Sequence, residues 1–188
     1  MRTRVWIIVV LLLLVTGCRK PSTPRPYGYC RIVLPEVKYM PLEGKHAYSF
    51  EKSAYALEQK VAHEGKGDWL NLHYSILNAD IHCSYMPVHG NLRELTDDAM
   101  EFVYKHVSQA HAIPERAFSN DNRRVYGVFF ELEGNTASPY QFFLTDSVAH
   151  FFRGAAYCNC RPNADSLRPV LDYLETDITH LIETFEWR

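Results

Sequence analysis

The sequence predicts an α+β fold: a single domain with a largely antiparallel sheet packed by two amphipathic helices. Two observations carry that expectation. Between Arg124 and Pro162, three runs rich in Val, Phe and Tyr are separated by Gly134–Pro139 and by Asp146-Ser147. Such runs punctuated by turn residues read as successive antiparallel strands. Elsewhere, two stretches repeat apolar residues at intervals of three and four, the period of a helix with one buried stripe.

The chain begins with a targeting segment. Arg2 and Arg4 precede an apolar run from Val5 to Val15, shorter than the roughly 20 residues of a spanning helix and suited to a secretory signal. The run ends in Val15-Thr16-Gly17-Cys18, which resembles a bacterial lipobox. That resemblance implies that residues 1–17 are removed and that Cys18 carries lipid, with several acyl chains giving stable anchorage. Removal of Arg2 and Arg4 takes the formal charge from −2 to −4, which argues against nucleic acid as a partner. Residues 18–26 contain Pro21, Pro24 and Pro26 and form an extended tether, leaving residues 27–188 as the domain. The lipid anchor places the domain outside the cytoplasm. Arg19, rather than Asp, follows the lipidated Cys, which leans the expectation toward the outer membrane with the domain facing the periplasm.

Along the domain, Tyr27 to Leu34 reads as a first strand, and Ala47 to Phe50 as a short one. Ser53 to Glu64 is polar enough for a loop and periodic enough for a short strand or a helical turn. Trp69 to Tyr74 and Asp80 to Met86 alternate apolar and polar residues, and their short link predicts that they pair. Asn91 and Glu94 have the spacing of a loose capping box, opening a helix with the stripe Leu92, Leu95, Ala99, Phe102, Val103, His106 and Ala110, closed by Pro114. Glu115 to Asn122 reads as a strand and turn. In the first aromatic run, Tyr126, Val128, Phe130 and Leu132 share one face, and Val125, Gly127, Phe129 and Glu131 the other. Aromatics on both faces predict packing on both sides of the sheet there. The last helix follows Asp165 or Ser166 as cap, takes Pro169 in its first turn, and carries a stripe from Leu167 to Phe185.

The chemistry-bearing residues fall into a few groups. His73 and His82 can neighbour each other on paired strands, but two ligands do not make a zinc site. No metal or cofactor is expected. Asp146, Ser147 and His150 lie within five residues, with Ser138 nearby. They supply a nucleophile, base and acid by type, yet a triad is a geometry and not a string. Asp146 and Ser147 also suit a turn held by their own side chains. Arg153 and Arg161 have Asp146, Asp165 or a partner's carboxylate as possible ion-pair partners. Cys30, Cys83, Cys158 and Cys160 remain after processing. Their pairing is open in sequence; packing is the expected role of Cys158 and Cys160, with a bridge from one of them to Cys30 or Cys83 as the alternative. The Gly134–Pro139 loop, with Asn135 and Ser138, joins Asp146, Ser147, His150, Arg153 and Arg161 as the expected interaction surface. Two other readings are a hydrolase using Ser147 or Ser138 with His150, and a ligand pocket lined by Tyr126, Phe129, Phe143 and Phe152.

Several strings agree in order and spacing with one family. They are Val125-Tyr126-Gly127-Val128, Gly134 through Phe143, Thr145 through Phe151, Arg161 through Leu167, and the ending His180 through Trp187. Together with Tyr104-Lys105-His106 and Ser84-Tyr85-Met86-Pro87, they resemble the gliding motility lipoprotein GldD family across nearly the whole mature chain. The resemblance implies a part in gliding and type IX secretion, alongside other lipoproteins and membrane components of that apparatus, without enzymatic activity. It also implies a cysteine pair near His46 and Asp68, which this chain lacks, so a family disulfide does not carry over. The order of elements is similar to a PsbP- or Mog1-like sheet packed by helices.

Overall fold

The structure is a computed structural model that describes residues 33–62, 67–105 and 108–188. The targeting segment, Cys18, the tether and most of the expected Tyr27–Leu34 strand lie outside the described residues. Val33 and Leu34, at its described end, are not in a strand. Seven strands form one antiparallel sheet: β4 (Leu57–Val61), β5 (Asp68–Tyr74), β6 (Ala79–Pro87), β8 (Glu115–Asn120), β9 (Val125–Glu131), β11 (Tyr140–Thr145) and β12 (His150–Cys158). Their order across the sheet is β4-β5-β6-β12-β11-β9-β8. Two meanders therefore meet where β12 pairs along its length with β6, from His150 opposite Pro87 to Cys158 opposite Ala79. Three short pairs decorate this sheet. β1 (Tyr39–Pro41) pairs with β3 (Glu51–Ser53), β2 (Tyr48–Ser49) with β13 (Glu186–Trp187), and β7 (Ala110–Ala112) with β10 (Glu133–Gly134).

The expected two-sided packing is present. Helix α1 (Leu92–Tyr104) covers one face, where Phe130, Leu132, Phe143 and Phe151 meet Ala99 and Val103. Helix α2 (Ala164–Thr184) covers the other, where Leu70, Ile81, Phe129, Phe142 and Phe152 meet Val170, Leu174, Ile178 and Leu181. All six residues of β11 are buried, because that strand lies between both helices. Burial of each large side chain contributes about 1.5–3 kcal/mol, so these two layers carry the fold. Gly154 on β12 belongs to this packing. A Cβ there would penetrate the Phe142 ring.

Three local expectations are corrected. The first helix ends at Tyr104, and Ala110 lies in β7 instead of continuing the helical stripe. His106, assigned to the same stripe, lies outside the described residues. Pairing with β10 gives this segment backbone partners, and Ala110 and Ile113 still reach the α1-side core. Asn91 does not cap α1 with its side chain; its Oδ1 accepts from the backbone N–H of His89 at 2.9 Å. Helix α2 starts earlier than expected. Asn163 caps it by accepting from Ser166 N–H at 3.2 Å, and Asn135 accepts from Ala164 N–H at 3.0 Å. Pro169 consequently lies inside the helix, beyond the first turn.

Candidate functional site

The Asp146 turn joins β11 to β12. Its Oδ1 accepts from the backbone N–H groups of Val148, Ala149 and His150 at 3.0, 2.8 and 2.8 Å. Burial alone would raise the pKa of this carboxyl, but the N–H donors of Val148, His150 and Ala149 outweigh it and hold it below the usual range. Thr145 Oγ1 closes the same turn, donating to His150 O at 2.7 Å and accepting from Ser147 N–H at 2.9 Å. Ser147 adopts a left-handed backbone, φ 67°, and Val148 at the tip is 63% exposed. Asp146 is thus a buried anchor, and the surface it presents is Ser147-Val148.

His150 turns inward from this tip. Its Nδ1 and the Tyr85 hydroxyl share a hydrogen bond at 2.9 Å, and its ring stacks on Trp187 with centroids 5.1 Å apart. Burial, followed by the charge of Asp146, keeps the Tyr85 hydroxyl above its ordinary pKa and therefore protonated. Trp187 is held by β13 and by its Nε1–H bond to Arg124 O at 3.0 Å. Tyr85 stands opposite Asp68, whose carboxylate meets His46 Nδ1 directly. His46 Nε2 lies 2.9 Å from Glu43 O. Lys45, His46, Gly67, Asp68 and Tyr85 help to line a shallow cleft of about 250 Å³ at this end of the sheet.

The other expected surface residues do not join this patch. The Gly134–Pro139 loop and the Asp146 turn flank opposite ends of β11, ~20 Å apart at the rise of a strand. Ser138 is 0% exposed, its Oγ without a hydrogen-bond partner, so it offers nothing to a surface contact. Asn135 binds the start of α2, and it lines a separate cleft of about 580 Å³ with His111, Arg161 and Asp165. Arg153 lies mid-sheet. It stacks 4.2 Å over the Phe102 ring and donates to Gln141 Oε1 at 3.1 Å, and pairs with neither Asp146 nor Asp165. His73 binds Asp80 at 2.7 Å and stands opposite that residue, with His82 opposite Asn71.

A family model described as gliding motility lipoprotein GldD matches residues 19–187. The chain belongs to the GldD family. No match to the curated proteins was found. Of the groupings in the alternative readings, the structure does not bring together Ser138 with His150 or the four aromatics. His150 Nδ1 is engaged by Tyr85, and Ser138 is buried at the far end of β11. Phe129 and Phe152 pack on the α2 face while Phe143 packs on the α1 face, so the four aromatics expected to line a pocket do not share one. His46, Asp68, Tyr85 and Trp187 were missed by sequence reasoning. Only the polar-aromatic string at Ser84-Tyr85 and the C-terminal Trp187 gave any signal.

Proposed function

We propose that this chain is a non-enzymatic accessory of the gliding motility and type IX secretion machinery, anchored by lipid on Cys18. In this reading the anchor is in the outer membrane, the domain faces the periplasm, and the protein works by contact with other lipoproteins or membrane components of the apparatus. The GldD family match over residues 19–187 is the observation that carries the reading. The Ser147-Val148 tip, held rigid by Asp146 beneath it, is the contact surface we assign. A preorganised turn loses little conformational entropy when a partner docks on it.

The test is the secreted-protein profile and surface spreading of a strain depleted of this protein, complemented with wild type or Cys18→Ala. Depletion is expected to abolish export of type IX cargo, and only the wild type is expected to restore it fully. Unchanged secretion on depletion would contradict the assignment.

A further inference from the structure

β12 ends at Cys158, and the chain bends through Asn159 and Cys160 before entering α2. Residues two apart on an extended strand share one face; the bend at Asn159 and Cys160 departs from that geometry. Two residues apart on an extended strand, their Cα atoms would be roughly 6.6 Å from each other, at the upper limit for a disulfide. That separation already lies within the range a disulfide spans. Asn159 fixes the bend from three sides. Its N–H donates to Asn78 O at 2.8 Å, its carbonyl accepts from Asn78 Nδ2 at 2.9 Å, and its Nδ2 donates to Asp80 Oδ2 at 2.5 Å. Both cysteines line one small cavity with Thr136, Pro139, Leu167 and Leu171. Both are free thiols, Cys160 exposed and Cys158 half-buried.

We propose that Cys158 and Cys160 form a C-x-C dithiol site that exchanges with an external disulfide and closes to an intramolecular disulfide. Cys160, the accessible thiol, attacks one sulfur of the external disulfide as thiolate, forming a mixed disulfide and releasing one thiolate. Cys158 then attacks the Cys160 sulfur, forming the Cys158–Cys160 bond and releasing the second thiolate. The two cysteine protons pass to the released thiolates through solvent, and two electrons pass from the cysteines to the external disulfide. Burial, then the neighbouring Cys160, pushes the Cys158 thiol up to about 11, consistent with Cys160 reacting first. Cys83 is no alternative partner. It is buried on β6 opposite Gly154, four residues along β12 from Cys158, or ~13 Å at the rise of a strand. Closure would tighten the segment that leads through Pro162 to Asn163, the cap of α2.

The site rests on the proposed extracytoplasmic location only for the source of its oxidant, and the test supplies that oxidant. Full-length protein in detergent is equilibrated with oxidised glutathione, quenched with acid, alkylated and digested with trypsin. Because Arg161 and Arg168 precede prolines, Cys158 and Cys160 leave together in the peptide Gly154–Arg188. The expected peptide carries no alkyl group, weighs about two mass units less than the dithiol, and takes two alkyl groups after reduction. In Cys158→Ser, a glutathione adduct is expected to persist on Cys160. Alkylation of both wild-type cysteines after oxidation, a persistent glutathione adduct in the wild type, or a cross-link to Cys30 would each overturn the proposal. Normal secretion on depletion would sink the secretion assignment while leaving this chemistry standing.

Discussion

At the scale of single residues, two carboxylates with opposite surroundings make opposite predictions. Asp146 is held below its ordinary 3.8 by backbone donors, so the folded state favours its ionised form. Its stabilisation is fully present above that value and is lost as pH falls through the folded pKa. Asp146→Asn is expected to cost about 2 kcal/mol at neutral pH, with the difference shrinking below the ordinary carboxylate range, as read by thermal denaturation at several pH values. Asp177 on α2 is 3% exposed. Neither of its oxygens sits in hydrogen-bonding geometry, and Tyr39, Ser53 and Tyr74 lie around it. Burial raises its pKa, and those hydroxyls offset the rise only in part. Its folded state therefore holds a proton that the unfolded chain releases, and stability falls as pH climbs from 3.8 toward the raised value. Asp177→Asn is expected to remove that decline and to raise the melting temperature at neutral pH relative to wild type. Gly154→Ala tests packing instead of charge. The methyl has no space beside Phe142, and a loss of about 2–3 kcal/mol is expected in denaturant unfolding.

At the scale of elements, the central strands were legible because their period is short and their residues are large. Val125 through Leu132 alternates between two cores as its pattern implied, and the paired strands β5 and β6 carry Leu70 opposite Cys83 and Leu72 opposite Ile81. The end of α1 was not legible. His106 and Ala110 fit the helical period, yet the choice between helix and β7 depends on a partner strand more than 20 residues away. The same limit hid the candidate site. His46 and Asp68 are 22 residues apart, with no periodicity to link them, and only the fold brings them together. β13 is the element most open to test. Trp187 stacks on His150 and meets Phe185 edge-on, and β13 pairs with β2. Trp187→Ala is expected to cost about 2 kcal/mol, less than a fully buried Trp because the side chain is only partly buried. It should also broaden the His150 imidazole resonance as the ring loses its stacking partner.

At the scale of the whole molecule, the sheet separates two regions that the sequence runs together. Asn135 and Arg161 lie at the end where α2 begins, whereas Ser147, Val148 and the His46–Asp68 pair lie at the other. Six residues of β11, invisible as a distance in a linear string, divide the expected surface in two. The chain matches the GldD family along almost its full length, and the tip of the Asp146 turn is its proposed contact surface. The most direct test puts a photo-crosslinking amino acid at Val148 and, separately, at Leu57 on the remote edge strand, in living cells under native expression. Both positions are exposed, at 63% and 57%, so either can report a neighbour. A discrete cross-link from Val148 to a membrane-associated component of the motility or secretion apparatus, absent from Leu57, is expected. A discrete cross-link from Leu57 with none from Val148 would contradict it.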